Sequence, residues 1–502
     1  MRLKSVPQIR KHKTEPGKSV QNYLFVIPSL LMLILFYAWF SSLGSGGHSG
    51  VTTYYYAYLA EAFLNGNLHL SIQPDPNLLA IDNPYNPSAR IELEKLGIVT
   101  PIDFSLYEGN FYLYWGPVPA LILAAIQLFS HQQPIGDFFL AFAFGVGIFL
   151  AQSLLLLAVW DHYFRTLPKW TLQLSILLAG LTWPIALLRH DYDHARVYEA
   201  AIAGGQFFLI SGLLMAFTAV ARPSIPNWRL VSAGLLWTLA IGSRHILVAP
   251  ICLMIILTAF WLIRTKAGFV AITAKFISLG LPLALGVAGL GWYNWARFGS
   301  ITETGFSYAL AGVDIQEHYT ELFSGSYIVQ NLYNYLFNPP GFMSTFPFVS
   351  MLKGGKNLIL PFYMGPNFYY AQPITGLLYL FPFAVFAAVP MIVLLSNLFK
   401  GNPTENLLEG KNHRLLVWIT LNLSGSFFII FWLLMIFFWA GMRYMGDFVP
   451  IMAVLSALGF WQGYWFSAQN PLAKNLYILF GIILAGVSIF ISSLLAISTV
   501  QG

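Results

Sequence analysis

The chain alternates between long apolar runs and short polar connectors. Runs of about 20 apolar residues cross the hydrocarbon core of a bilayer as helices. Eleven runs of roughly this length recur along the sequence, at about 22–42, 136–159, 171–188, 199–220, 230–244, 246–263, 272–294, 374–397, 415–440, 448–467 and 475–497. A membrane β-barrel would instead show short segments of alternating hydrophobicity. The pattern therefore predicts an all-α polytopic membrane protein with about 11 transmembrane helices.

Composition agrees with this class of protein. Of the 502 residues, 57% are hydrophobic and only 9% are charged, whereas soluble domains carry about 25% charged residues. The net charge of +6 is therefore interpreted as a topology signal, and membrane lipids rather than nucleic acid are the expected partners. The single cysteine, Cys252, allows no internal disulfide.

Basic residues predict the orientation of the spans. Residues 1–21 are rich in Lys and Arg and lead into a first span without a small-residue cleavage site, so we expect a retained helix and a cytoplasmic N-terminus. The segment YLYWGPVPALILAAIQLF is too ambiguous to assign by hydropathy alone. If it does not span, 17 of the 26 Lys and Arg residues lie inside, which the positive-inside rule favours. This orientation suits a bacterial inner membrane, with the first large loop in the periplasm.

Two long segments depart from the alternation. The predicted organisation is a transmembrane module over 22–295 with an outer loop at 43–135, a second outer segment at 296–372, and C-terminal transmembrane helices over 373–502. Within the first loop, TTYYYAYLAEAFLNGNLHL has helical spacing of apolar residues and a stop at Gly66, which predicts a juxtamembrane amphipathic helix. The Pro- and Asn-rich residues 71–110 are expected to form an ordered loop.

Several motifs accompany this loop. Tyr56, Ala60 and Gly66 form a YxxxA…G pattern, Gly116-Pro-x-Pro opens a second apolar segment, and a short acidic loop follows the third span. Through these features the chain resembles the GT-C superfamily of membrane glycosyltransferases over roughly residues 20–265. The whole chain also resembles a poorly characterised bacterial group of such proteins, through DFSLYEGNFYLYWGP, GSRH at 242–245 and RYMGDFVP at 443–450. The resemblance implies a polyprenyl-phosphate-linked sugar as donor and a glycan, lipid or protein as acceptor.

One departure from the GT-C pattern concerns the catalytic acid. Enzymes of this superfamily usually carry an Asp or Glu four residues before the Tyr of YxxxA, and Thr52 occupies that position here. A hydroxyl does not serve as a general base near neutral pH. Either another carboxylate takes this role or the chain does not catalyse glycosyl transfer.

Three other acids are candidates for the base that takes the acceptor proton. Asp103 stands first because it precedes the aromatic run SLYEGNFYLYW, although Asp-Phe-Ser also suits a helix cap or a turn. Asp82, in DNPYNP, is equally a turn former. Glu61 lies on the predicted amphipathic helix, where a solvated face is the simpler interpretation.

The acidic loop after the third span suggests a metal. Asp191 and Asp193, with His194 beside them, could hold Mg²⁺ or Mn²⁺ through oxygen ligands. Arg189 and Arg196 in the same loop offer ion-pair partners instead. No other cofactor is expected.

Arginines are the candidates for binding the donor phosphate, because their donors match phosphate oxygens. Arg244 ends an apolar span and has no acidic neighbour in sequence, which favours a functional role. Arg443 has Asp447 four residues on, so an ion pair within one helix is the alternative. Arg90, in the first loop, is the third candidate.

Two other functions remain open at this stage. A non-catalytic lipid or glycan carrier, such as a flippase-like transporter, would explain Thr52, although no inverted repeat is evident. A surface polysaccharide polymerase or ligase would place working arginines in a late outer loop, where only Arg297, Lys353 and Lys356 occur.

Overall fold

A computed structural model of the 502-residue chain describes residues 24–43, 53–129, 134–182, 197–265, 268–354, 366–399 and 411–498. Its helices are α1 (Ile27–Leu43), α2 (Tyr55–Leu64), α3 (Pro76–Ala80), α4 (Pro87–Lys95), α5 (Val118–Phe129), α6 (Asp137–Tyr163), α7 (Lys169–Leu181), α8 (Val197–Val220), α9 (Asn227–Ile241), α10 (Val248–Ile263), α11 (Phe269–Phe298), α12 (Ile328–Leu332), α13 (Leu377–Leu380), α14 (Ala388–Phe399), α15 (Lys411–Met435), α16 (Val449–Ser467) and α17 (Pro471–Ser498).

Seven helices of the described ranges are long and apolar enough to cross a membrane, which confirms a multi-pass membrane protein. They are α6, α8, α10 with the 3₁₀ turn before it, α11, α15, α16 and α17. The predicted count of 11 is not confirmed. Helices α1, α7 and α9 lie at predicted spans but have only 17, 13 and 15 residues, and the run at 374–397 is divided into α13, a 3₁₀ helix and α14.

Helices α8 and α16 form the centre of the bundle. Each is almost entirely buried, whereas α11 exposes most of its apolar residues at the periphery. Helix α8 packs between α6 and α9, and α9 packs in turn on α11. The first turn of α8 and the 3₁₀ helix before α16 border the same cavity, which is described below.

The first loop contains more regular structure than its composition suggested. Helix α2 confirms the predicted amphipathic segment, ending at Asn65 before Gly66. The expectation of loop alone over residues 71–110 is wrong, because this stretch also forms α3 and α4. Asp75 and Asn86 cap these helices through their side chains, and each is followed by a proline at the first helical position. Helix α5 has 12 residues, too few to cross a core of about 30 Å.

A buried carboxylate attaches α2 to the bundle. Asp137, the first residue of α6, is completely buried and accepts hydrogen bonds from the Thr53 hydroxyl at 2.6 Å and the backbone N–H groups of Tyr55 and Tyr56 at 3.0 and 3.1 Å. It therefore caps α2 from a distant part of the chain. Thr52 lies outside the described residues.

Strands in the described ranges are few and short. They are β1 (Ser105–Tyr107), β2 (Asn110–Tyr112), β3 (Gly341–Phe342), β4 (Val349–Ser350), β5 (Leu352–Lys353), β6 (Tyr370–Ala371), β7 (Pro373–Ile374) and β8 (Trp439–Ala440). The pairing of β6 with β8 matters most here, because these two strands run parallel and bring Gln372 beside Gly441. Asn331 strengthens this junction by donating to the carbonyl groups of Leu434, Met435 and Phe437 at 2.7–3.0 Å.

Candidate active site

A cavity of about 490 Å³ lies where the first loop meets the bundle. Its walls come from residues 103–116, the first turn of α8, residues 243–246 after α9, the segment 304–315, and residues 433–444 between α15 and α16. Most of the lining is apolar or aromatic. The cavity brings together Asp103, Arg244 and Arg443, three residues that the sequence singled out.

Asp103 owes its position to a β-hairpin. Strands β1 and β2 pair with Ser105 opposite Tyr112, and continuing that register by two residues sets Asp103 opposite Tyr114. The turn at Glu108 and Gly109 has positive φ at both residues, as a two-residue hairpin turn requires. Segment 309–310 extends the hairpin, with the Asp103 N–H donating to the Leu310 carbonyl at 3.0 Å.

Two tyrosine hydroxyls hold the Asp103 carboxylate. The Tyr198 hydroxyl donates to Oδ1 at 2.9 Å, and the Tyr114 hydroxyl lies 3.4 Å from the same oxygen and 3.0 Å from the Tyr198 hydroxyl. Asp103 also has a φ of +67°, a left-handed conformation that is uncommon outside glycine and concentrates at functional sites. It is not a helix cap but lies in a turn, which is the other role that its sequence context allowed.

Burial keeps the neighbouring phenols protonated. It raises the pKa of Tyr114 well above its usual value, and the charge of Asp103 raises that pKa further. Burial likewise raises the pKa of Tyr444, whereas the nearby Arg443 and Arg244 lower it. Both hydroxyls therefore remain protonated near neutral pH.

Two glycines allow the loop and the bundle to meet at this cavity. A Cβ atom on Gly116 would lie 2.0 Å from the Gly242 carbonyl oxygen, and one on Gly242 would lie 2.6 Å from the Val118 side chain. The Val118 N–H donates to that same carbonyl at 3.0 Å. The GSRH motif and the end of the DFSLYEGNFYLYWGP motif are thus in direct backbone contact, which places Arg244 beside Trp115 in the cavity wall.

Arg244 forms a buried ion pair, so the expectation that it lacks an acidic partner is wrong. Its Nε and Nη2 donate to the two carboxylate oxygens of Asp447 at 3.1 and 2.7 Å. The Asp447 side chain is completely buried and that of Arg244 is 17% exposed. Opposite charges at this distance largely neutralise each other, so the pair contributes little net charge to the cavity.

Arg443 does not pair with Asp447, although four residues separate them. Residues Met442–Asp447 form a 3₁₀ helix, in which three residues complete a turn, so side chains four apart point roughly 120° away from each other. Arg443 instead donates to the Gln372 Oε1 at 2.8 and 3.2 Å, and its guanidinium lies 4.1 Å from the centre of the Tyr198 ring. A neutral amide leaves the charge of Arg443 uncompensated by this contact.

Arg90 lies outside the cavity lining and is buried. It donates to the carbonyl groups of Pro84 at 2.9 Å, Tyr85 at 2.8 Å and Ala311. These bonds tie the loop around α4 to segment 304–315. The geometry indicates a structural role rather than the predicted contact with phosphate.

Two of the three predicted acids also lie elsewhere. Asp82 is exposed and borders a separate open hollow with Asp314 and Glu317. Glu61 is exposed on α2, as a solvated helix face would be. Of the three candidate bases, the cavity therefore contains Asp103 alone.

The predicted metal ligands Asp191 and Asp193 lie outside the described residues, as do His194 and both arginines of that loop. Within the ranges that the structure covers, no group of three or more His, Cys, Asp or Glu side chains is arranged to hold a metal ion. A site for Mg²⁺ or Mn²⁺ at Asp191 and Asp193 stays a prediction.

Sequence reasoning missed the residues that connect the site. Tyr198, Gln372 and the true partner of Arg244 are distant in sequence from the groups they contact. The contact of Tyr114 with Asp103 could have been predicted from the sequence, because the Glu108-Gly109 turn fixes the hairpin register that sets the two residues opposite each other.

Similarity to known proteins is found among solved structures. No protein-family model and no curated protein sequence matches the chain. Among solved structures, it is similar to the oligosaccharyltransferase of Archaeoglobus fulgidus in its apo form, with 14% identity and a TM-score of 0.47, covering 96% of this chain and 56% of the other. A structure of that enzyme tethered to an acceptor peptide has 13% sequence identity and a TM-score of 0.47, and the match covers 96% of this chain and 55% of the other.

A further structure, of the same archaeal enzyme, AglB, in complex with an inhibitory peptide and a dolichol-phosphate, gives 13% identity, a TM-score of 0.46 and coverage of 96% and 56%. Another of these structures contains Zn and sulfate. The chain thus spans little more than half the length of these neighbours. At this level of identity and TM-score, the similarity by itself specifies neither substrate nor reaction.

Proposed function

We propose that this protein is an integral membrane glycosyltransferase of the GT-C type. It transfers a sugar from a polyprenyl-phosphate-linked donor to a hydroxyl group of a glycan, lipid or protein acceptor. One observation carries the proposal: a carboxylate and an arginine that forms no salt bridge among the described residues occupy one largely apolar cavity, where Tyr198 contacts both.

The reaction needs both groups. The Asp103 carboxylate takes the proton of the acceptor hydroxyl as its oxygen attacks the anomeric carbon of the sugar. The bond between that carbon and the phosphate oxygen breaks, and the polyprenyl phosphate leaves with the bonding electrons. A cation at the leaving oxygen stabilises this charge as it develops. Displacement from the opposite face inverts the anomeric centre.

Arg443 is a better candidate for the leaving phosphate than Arg244. Arg244 already faces a carboxylate through two of its nitrogens, whereas Arg443 faces an amide oxygen and a tyrosine ring. An incoming phosphate would have to compete with Asp447 at Arg244. At Arg443 it replaces only the weaker contact with Gln372.

The apolar part of the lining suits the isoprenoid chain. Phe323, Leu433, Leu434 and Phe437 line the cavity, and Leu433 and Leu434 belong to the last turn of α15. Concave sites with apolar walls and a few placed polar groups are typical of small-molecule binding. A lipid-linked sugar has this division into a polar head and an apolar tail.

The proposal is tested by release of free polyprenyl phosphate. The protein in nanodiscs receives a panel of polyprenyl-phosphate sugars, with bacterial envelope extract as the acceptor source. Asp103→Asn should lower turnover by about 10²–10⁴-fold, the usual contribution of a general base, with donor binding retained. Arg443→Gln should weaken donor binding by about tenfold or more, as expected for lost charged hydrogen bonds. Glu61→Gln serves as the matched acid-to-amide control and should leave both unchanged.

The same assay separates the alternatives. Donor binding without release in the wild-type protein would favour a carrier or flippase-like protein, for which Thr52 is the sequence argument. Release of polyprenyl diphosphate with chain growth would favour a polymerase or ligase. Turnover retained in Asp103→Asn would exclude Asp103 as the base.

We further propose that the protein lies in a bacterial inner membrane, with its N-terminus in the cytoplasm and the cavity at the periplasmic face. Cys252 is the only cysteine, so Cys252→Ser provides a background for labelling. A cysteine introduced at Glu61, which is exposed on α2, should react with an impermeant maleimide in intact spheroplasts. Labelling only after lysis would reverse the orientation.

A further inference from the structure

The Tyr198 side chain is fixed between the two charged groups of the cavity. Tyr198 is the second residue of α8, and its hydroxyl donates to Asp103 at 2.9 Å while the Arg443 guanidinium lies 4.1 Å from its ring centre. The Trp115 ring packs edge-on against it, with the ring centres 5.0 Å apart and the planes at 85°. Its orientation is therefore set from three sides.

This arrangement lets the charge of Arg443 act on Asp103. A cation over a phenol ring is attracted to the ring electrons and withdraws electron density from the hydroxyl, which makes that hydroxyl a stronger hydrogen-bond donor. Donation to a carboxylate stabilises its charged form, as does a nearby positive charge. Arg443 thus weakens Asp103 as a base, both directly and through Tyr198.

We propose that Tyr198 is a positioning residue that couples the two halves of the site, so that phosphate bound at Arg443 strengthens Asp103 as a base. When the phosphate neutralises the guanidinium, the polarisation of the Tyr198 hydroxyl decreases and the carboxylate binds a proton more readily. The base is then strong only when the donor is in place. This inference rests on the proposed roles of Asp103 and Arg443.

Other groups also face Asp103 and set its baseline. Among the described residues, those with an electrostatic influence on it are Tyr55 on α2, Arg90 on α4, Tyr114 after β2, Tyr198 on α8, and Arg443 and Tyr444 before α16. Arg90 is held by backbone carbonyls, so phosphate at Arg443 leaves its contribution unchanged. Among the described residues, the coupling therefore depends on Arg443 and Tyr198, and Glu199 on the first turn of α8 also acts on the Arg443 charge.

The test titrates Asp103 directly and does not require turnover. Infrared difference spectra of the wild-type protein minus Asp103→Asn, in nanodiscs, report the protonated carboxyl group as a function of pH. Geranyl phosphate is the probe for the anion site. In the wild-type protein its binding should move the Asp103 titration to higher pH by about one unit, the size expected when a favourable charge interaction is lost.

Two variants locate the coupling. In Arg443→Gln, Asp103 should titrate at higher pH than in the wild-type protein, and geranyl phosphate should not move this titration. Tyr198→Phe keeps the ring under Arg443 but removes the hydroxyl donor. Asp103 in this variant should titrate at higher pH than in the wild-type protein, and geranyl phosphate should move its titration by less than half as much. Tyr114→Phe is the matched control, because its hydroxyl is 3.4 Å from the same oxygen and its ring contacts Trp115 and Phe306; most of the response should survive.

Each outcome decides the inference. A wild-type titration unmoved by bound geranyl phosphate, failure of geranyl phosphate to bind, or an equal response in Tyr198→Phe would overturn it. If Tyr198→Phe is not stably folded, the comparison of Arg443→Gln with the wild-type protein still tests the coupling. A titration that responds as expected, in a protein without release activity, would uphold the coupling and reject the proposed transfer.

Discussion

The ion pair between Arg244 and Asp447 predicts a large loss of stability when Asp447 is replaced. In Asp447→Asn the amide keeps the shape of the side chain but leaves the Arg244 charge without its partner. Asp447 is completely buried and Arg244 is 17% exposed, so little water is available to compensate. Removing one member of a buried pair costs about 3–5 kcal/mol.

The corresponding change in melting temperature follows from chain length. An unfolding entropy of about 2.1 cal/mol/K per residue gives about 1 kcal/mol/K for a chain of this size, so we expect a decrease of roughly 3–5 °C. Thermal unfolding in nanodiscs, followed by tryptophan fluorescence, provides the measurement. The double variant Arg244→Met, Asp447→Leu should be more stable than Asp447→Asn, because it leaves no unpaired charge.

An exposed pair serves as the control for this prediction. Arg165 lies beside Asp161 one helical turn away, with side chains 40% and 30% exposed, and such pairs contribute about 0–1 kcal/mol. Asp161→Asn should therefore change the melting temperature by less than about 1 °C. If Asp447→Asn is as stable as Asp161→Asn, or if the double variant loses more than the single one, the pair is not the stabilising contact described here.

Three further predictions concern the loop and the metal. Gly116→Ala should lower donor turnover at least tenfold while the protein stays folded, because its Cβ would lie 2.0 Å from the Gly242 carbonyl oxygen. Gly486→Ala is the control, because a Cβ there meets no atom within 4 Å, and equal effects of the two substitutions would contradict this. Asp137→Asn should increase proteolysis within α2, since it weakens three hydrogen bonds that cap the helix, at a cost of about 1–3 kcal/mol; unchanged digestion would remove Asp137 as the anchor. If Asp191 and Asp193 hold Mg²⁺ or Mn²⁺, EDTA should abolish release and either ion should restore it, whereas full activity in EDTA would dismiss the metal.

Local patterns predicted much of the fold. Apolar runs located the long helices because burial of apolar surface in lipid depends on composition over some 20 residues. The amphipathic period identified α2, and the motifs DFSLYEGNFYLYWGP, GSRH and RYMGDFVP contain residues that line the cavity. The short helices α3 and α4 were missed, although Asp75-Pro and Asn86-Pro are recognisable capping sequences.

Which charges pair was decided only by the tertiary structure. In sequence, Asp447 stands four residues from Arg443 and 203 from Arg244, yet it pairs with Arg244. The 3₁₀ geometry of Met442–Asp447 turns the nearer arginine away, and the contact between Gly116 and Gly242 brings the GSRH segment to the cavity wall. The sequence by itself determined that this is a membrane protein with a carboxylate and arginines near its loops. Only the packing of distant segments determined which arginine faces a neutral partner, because an ion pair depends on distance in space and burial rather than on separation along the chain.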